Sequence, residues 1–223
     1  MATFYGIGAG PGDPELLTLK ALRTIERCPV IAAPRTAGGK MLALEIVGGA
    51  TELEGKIILP LDFTMSSDHD ILHEAHVRAA DLVETHLAAG RDVAMLNIGD
   101  VSIYSTFGYL MDILVSRGYE AVMIPGVPSF CAAAARLGVS LVSADEPLHI
   151  LPGGGFAEEL SGTKVLMKSG KQLPRVIEEL KWRGLEEKAA AVQNCGLPEE
   201  RVCRDLNELS PDAGYFTTII VKE

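Results

Sequence analysis

Gly6, Gly8, Gly10 and Gly12 alternate with other residues in YGIGAGPGDPELLTLKA, and Asp13-Pro14 closes the run before a helical pattern begins. A bare backbone at a strand-to-helix turn can cradle a phosphate, because free amides and the helix N-terminus both face the anion. A dinucleotide fingerprint requires glycine, one spacer, glycine, two spacers and a third glycine. Counted from Gly6 the sixth position is Pro11, and counted from Gly8 it is Asp13. Pro11 and Pro14 also remove two amide hydrogens from the place where a pyrophosphate would need them. No Gly-Lys-Ser/Thr occurs, so a phosphate loop is not formed either. A purely structural turn accounts for one or two of these glycines, not four. The loop is therefore expected to line a ligand cleft, but not one built for phosphate.

Two other groups could do chemistry. His69, His73 and His76 recur at spacings of four and three, and histidines one turn apart can bind a metal. His76 falls within the stripe of Leu72, Ala79 and Val83, while His69 and His73 lie towards its flank, which favours one interior histidine, two surface ones and no metal. Arg35 and Lys40 flank a glycine pair in APRTAGGK, immediately after an apolar run. Such a loop presents cations on the ligand side of an α/β sheet, and the alternative is a pair of ordinary solvated charges.

Composition narrows the classes of function. The chain has 223 residues, 48% of them hydrophobic, 5% aromatic, with a formal net charge of −10. That is enough chain for one large or two small domains with real cores. The negative charge argues against nucleic acid, whose affinity comes from Lys and Arg, and the few aromatics argue against base stacking. No apolar stretch approaches the roughly 20 residues of a membrane span, and the N-terminus runs straight into an expected strand rather than a signal peptide. Cys28, Cys131, Cys195 and Cys203 are scattered, without zinc-site spacing, as expected of reduced thiols in a cytoplasmic protein.

The positioning elements read as alternating strands and helices. Strands are expected over 2–8, 29–33 (stopped by Pro34), 56–59, 92–98 and 121–124, with helices over 14–27, 41–47, 68–89 and 109–116. Asp68 or Ser67 would cap the third helix, and Gly90 would end it. This rhythm indicates a mostly parallel wound sheet. Beyond about residue 120 the strands (148–151, 163–167, 189–193 and 215–221) are set among polar stretches, with helices only over 130–137 and 173–183. Two unequal α/β domains are expected, 1–121 and 122–223.

GIGAGPGDPELLTLKA resembles the opening motif of the tetrapyrrole methyltransferases, which methylate porphyrin precursors of cobalamin and sirohaem. LNIGDVSIYST (96–106) resembles that family's second motif and IPGVPSFCAAAARLGVSL (124–141) its third. VLMK (165–168) and the closing YFTTIIVKE resemble its later strands, so the resemblance covers essentially the whole chain. Two departures stand out. Val101 occupies the usual proline position after the second-motif aspartate, and Met95-Leu96-Asn97 replaces a strand that normally includes a basic residue. GDVSIYSTFGYLMDIL resembles the branch that methylates the C(20) meso carbon of precorrin-2 or its cobalt complex.

The resemblance implies S-adenosylmethionine as cofactor, folded in a cleft between two α/β domains. It implies that Asp100 and the backbone of Val101 and Ile103 contact the methionine and ribose portion. Ser129 and Phe130 would line the second wall, with Met167 near the adenine. Asn194 or Cys195 and Thr217 or Thr218 would offer the remaining polar contacts; Cys195 also reads as a small buried filler. Gly10, Pro11 and Gly12 would meet the tetrapyrrole, Arg35 and Lys40 would clamp its carboxylates, and Tyr104 is the catalytic candidate through substrate contact. A homodimer is expected from the family. The rivals are a same-fold methyltransferase with another substrate, a nicotinamide-dependent reductase, and a non-catalytic tetrapyrrole carrier.

Overall fold

Largely continuous apolar runs, buried on both faces in the central strands, form a five-stranded parallel sheet. Its strands are β1 (Thr3–Gly8), β2 (Val30–Arg35), β3 (Ile57–Asp62), β4 (Val93–Asn97) and β5 (Glu120–Ile124), in the order β3-β2-β4-β1-β5. Phe4, Val30, Ala32, Val93 and Met95 point to one face, where they pack on α3 (His69–Ala88) and α4 (Phe107–Ser116). Ile7, Ile31, Ala33, Ala94 and Leu96 point to the other, against α1 (Leu19–Arg27) and α2 (Leu42–Gly48). Successive strand residues face opposite ways, so both layers are buried by the same strands. The computed structural model describes residues 2–64, 66, 68–153, 160–209 and 214–222.

Two local departures from expectation have plain causes. The first helix is broken into a 3-10 turn at Pro14–Leu16 and α1, because the Thr18 hydroxyl accepts from Ala21 N and starts a new helix. β2 runs through Pro34 rather than stopping there. β4 pairs with β2 only over Val30–Ala32, so the missing proline amide costs no ladder bond on that side. Asp68 caps α3 by accepting from Asp70 N and Ile71 N; Ser67, the alternative cap, lies outside the described residues.

Contacts divide the chain into Met1–Pro128 and Ser129–Glu223. A boundary between 121 and 122 would cut β5, which pairs along β1 from Glu120 to Ile124. Within the second unit, β6 (Leu148–Pro152), β7 (Thr163–Met167), β10 (Thr217–Val221), β8 (Ala189–Gln193) and β9 (Arg201–Cys203) form a mixed sheet in that order. α6 (Leu173–Trp182) covers one face through Leu173, Val176 and Leu180, and α5 (Ser129–Leu137) packs on β8 and β10. β6 and β7 are parallel, and β7 and β8 both run antiparallel to β10, so β6, β7 and β8 end at the same edge. Among the described residues no helix is long and apolar enough to cross a membrane.

Candidate active site

β1 and β4 are neighbours whose following helices leave towards opposite faces of the sheet. A crevice opens outside the carboxyl ends of such strands, which is where open α/β sheets take ligands. Here the two loops are tied together. Ala9 N donates to Asn97 O at 2.7 Å, and Gly10 and Gly99 exchange backbone bonds of 3.2 and 2.7 Å.

The loop after β5 joins them. A Cβ at Gly8 would meet Gly126 Cα at 2.6 Å, and one at Gly6 would meet the Phe107 ring at 2.7 Å. Packing thus accounts for Gly6 and Gly8, within the one or two glycines that a structural turn is expected to claim. Gly10 has a left-handed φ of 76° and is buried, as are Pro11 and Gly12.

Asp100 is the charged centre of this edge and is 9% exposed. Its carboxylate accepts from Ser102 N at 2.8 Å, from the Ser102 hydroxyl, and from Gly126 N at 2.9 Å. Burial pushes the Asp100 carboxyl up, but the bonds from Ser102 and Gly126 outweigh it and hold it below the usual carboxylate range. Val101 is buried in the α3/α4 layer, and Ile103 is half-buried with its amide towards Asp100 O.

Tyr104 follows in a left-handed conformation (φ 49°), 44% exposed. A non-glycine residue held there marks local strain. A group that sequence reasoning missed fixes the next residue. Asn97 Oδ1 accepts from the Ser105 hydroxyl at 2.8 Å, and Ser105 Oγ accepts from Phe107 N at 3.1 Å. The replacement of the family's basic residue by Met95-Leu96-Asn97 was the available signal.

Arg35 and Lys40 stand differently. Arg35 Nε and Nη2 fork onto Asp62 at 2.9 and 2.6 Å, so this guanidinium is already answered by a carboxylate, in an exposed pair. Lys40 is exposed, and its backbone oxygen closes a turn by accepting from Thr36 N. On α3, His76 is buried and stacks on Tyr109 with centroids 4.5 Å apart. Burial, then the neighbouring His73, lowers the His76 pKa. His69 and His73 are exposed. No group of three His, Cys, Asp or Glu that could hold a metal occurs among the described residues.

In the second unit the edge formed by the ends of β6, β7 and β8 collects most of the remaining candidates. Met167, half-buried, closes β7 opposite Thr218, which is buried on β10. Thr217 is buried and donates its hydroxyl to Gly214 O at 2.9 Å. Asn194 is left-handed (φ 50°), donates its backbone amide to Phe216 O, and precedes Cys195. Burial, then Glu200, pushes the Cys195 thiol up to about 11, which suits a filler and not a nucleophile. Ser129 opens α5, and Phe130 is buried beneath it. Ser169, also missed in the sequence, is buried just past β7, and its hydroxyl has no hydrogen-bond partner among the described residues.

Residues 3–209 match the model of the tetrapyrrole (corrin/porphyrin) methylases. The chain is 34% identical to the cobalamin biosynthesis protein CobIJ of Mycobacterium tuberculosis over 96% of its own length, spanning only 45% of that protein. It is 35% identical to a probable cobalt-precorrin-2 C(20)-methyltransferase of Methanocaldococcus jannaschii, over 85% of this chain and 76% of that one. The uroporphyrin-III C-methyltransferase of Thermus thermophilus, solved with S-adenosyl homocysteine, shares the fold. The TM-score is 0.72 and the identity 23%, over all of this chain and 92% of that one.

Proposed function

Because the chain belongs to the tetrapyrrole (corrin/porphyrin) methylases, we propose that it transfers a methyl group from S-adenosylmethionine to the C(20) meso carbon of precorrin-2 or its cobalt complex, in cobalamin biosynthesis. The observation that carries this reading is the 35% identity to a protein of that printed activity. The S-adenosyl homocysteine bound to the Thermus relative supports the cofactor.

The residues present fit such a cofactor. An ionised, nearly buried carboxylate suits its cationic methionine end, and Asp100 is held ionised by three donors. Asp100, with the backbone of Val101 and Ile103, takes the methionine and ribose portion. The resemblance further assigns Met167 to the adenine and Ser129, Phe130, Asn194, Thr217 and Thr218 to the remaining contacts, with Cys195 a buried filler next to Asn194. S-Adenosylmethionine supplies, when bound, an already activated methyl on its sulfonium.

The chain's own task is orientation. Alignment of the reacting atoms within about 3–3.5 Å can lower a barrier by several kcal/mol without a strong acid or base. Tyr104 meets the tetrapyrrole from its left-handed position, and the Gly10-Pro11-Gly12 turn meets it too. Lys40 meets a substrate carboxylate, and Arg35 does so by exchanging Asp62 for it. The free cysteines agree with a cytoplasmic setting, and a homodimer completes the reading.

Calorimetry separates this from reductase chemistry. A saturable isotherm is expected with S-adenosylmethionine and none with a nicotinamide dinucleotide. Uptake of the dinucleotide alone would overturn the reading.

A further inference from the structure

Lys168 adopts a left-handed backbone (φ 58°) at the end of β7, although the side chain makes that conformation unfavourable and glycine would adopt it freely. The backbone there is pinned. A Cβ at Gly153, after β6, would meet Lys168 O and Ser169 N at 2.6 Å each. Lys168 has buried Ser169 and half-buried Met167 as its chain neighbours. Its ammonium lies over the Tyr215 ring, 5.4 Å from the centroid, within the range of a cation–π contact. Tyr215 packs edge-on against Phe216, and both are partly exposed, at 44% and 38%. A fixed cation beside two exposed aromatic rings is the chemistry that recognises a flat, conjugated, carboxylated molecule.

Resting on the function proposed above, we propose that Lys168 is a specificity-determining contact for the tetrapyrrole, its ammonium pairing with a carboxylate of the macrocycle while Tyr215 and Phe216 present their rings to it. An acidic chain binding a polyanion needs cations placed locally. The left-handed backbone stands at the end of β7, and the ammonium it carries lies over Tyr215. A glycine there would relieve strain and remove the charge at once.

That makes Lys168→Gly an informative variant, tested beside Lys168→Gln and Lys168→Arg. Anaerobic titration with precorrin-2 is expected to show Kd raised about tenfold or more for the Gly and Gln variants, the loss of one charge-assisted bond. The Arg variant should recover most of the affinity. Calorimetric Kd for S-adenosylmethionine should stay within about twofold, and Lys168→Gly should melt no lower than the unaltered protein. Unchanged precorrin-2 affinity in the Gly and Gln variants would overturn the inference, as would an equal loss of S-adenosylmethionine binding. Failure of the unaltered protein to bind precorrin-2 would instead overturn the function on which the inference rests.

Discussion

Replacing Gly126 by alanine is expected to destabilise the first unit by more than about 4 kcal/mol, a large share of the stability of an ordinary domain. The new methyl would overlap Gly8 Cα and C at 2.7 Å, and the Gly99 oxygen besides. All of these are backbone atoms, so no side chain can swing aside. The loops after β1, β4 and β5 would have to separate, breaking the Gly10–Gly99 bridge and the bond from Gly126 N to Asp100. Gly8→Ala should behave alike, since its methyl meets Gly126 Cα at 2.6 Å and Gly99 O at 2.8 Å. Gly108→Ala serves as the control: nothing lies within 4 Å of its Cβ, and alanine should stabilise α4 by about 0.5 kcal/mol. Urea denaturation measures all three. Gly126→Ala within about 1 kcal/mol of the unaltered protein would mean that the three loops do not pack as described.

Asp100→Asn is the second large effect. An asparagine can keep the bonds from Ser102 on its oxygen, but its amide then faces Gly126 N–H with a donor against a donor. Leaving that buried donor unanswered costs about 1–3 kcal/mol. The variant also loses the negative charge proposed to face the cofactor's cationic end, so S-adenosylmethionine affinity should fall about a hundredfold. Acid provides an independent check. The folded carboxyl is held below its ordinary value of 3.8, so its bonds stabilise the fold fully above that pH. This stability disappears as the pH falls through the lower folded value. In the asparagine variant the step below about pH 4 should be shallower. An unaltered affinity for S-adenosylmethionine would remove Asp100 from the site.

Local signals proved legible where the chain's own periodicity decided the outcome. α3 follows its stripe of Ala75, Ala79, Val83 and Leu87, with Asp68 capping it and Gly90 left-handed beyond its end. β7 and β8 run over the residues read from their apolar runs. β9 escaped because three residues, Arg201–Cys203, carry no period of their own and depend on pairing with β8. The break at Thr18 escaped because its cap competes with an equally helical pattern on both sides.

At the site, Asp100 was visible as a Gly-Asp pair closing a buried strand. Its partner Gly126 was not, because a backbone amide 26 positions away leaves no mark on composition. Arg35 read as an available cation for the same reason, since Asp62 meets it only through the register of β2 and β3. Which two of the four glycines answer to packing was not legible, because Phe107 and Gly126, which require Gly6 and Gly8 to be bare, are remote in sequence.

The site of the transferred carbon is the most direct arbiter. Purified protein is incubated anaerobically with S-adenosylmethionine carrying a carbon-13 methyl and with precorrin-2, metal-free or cobalt-loaded, and the product is read by NMR. One labelled methyl per macrocycle, attached at C(20), is the expected result. Label at any other ring position, or an unlabelled macrocycle, would contradict the account.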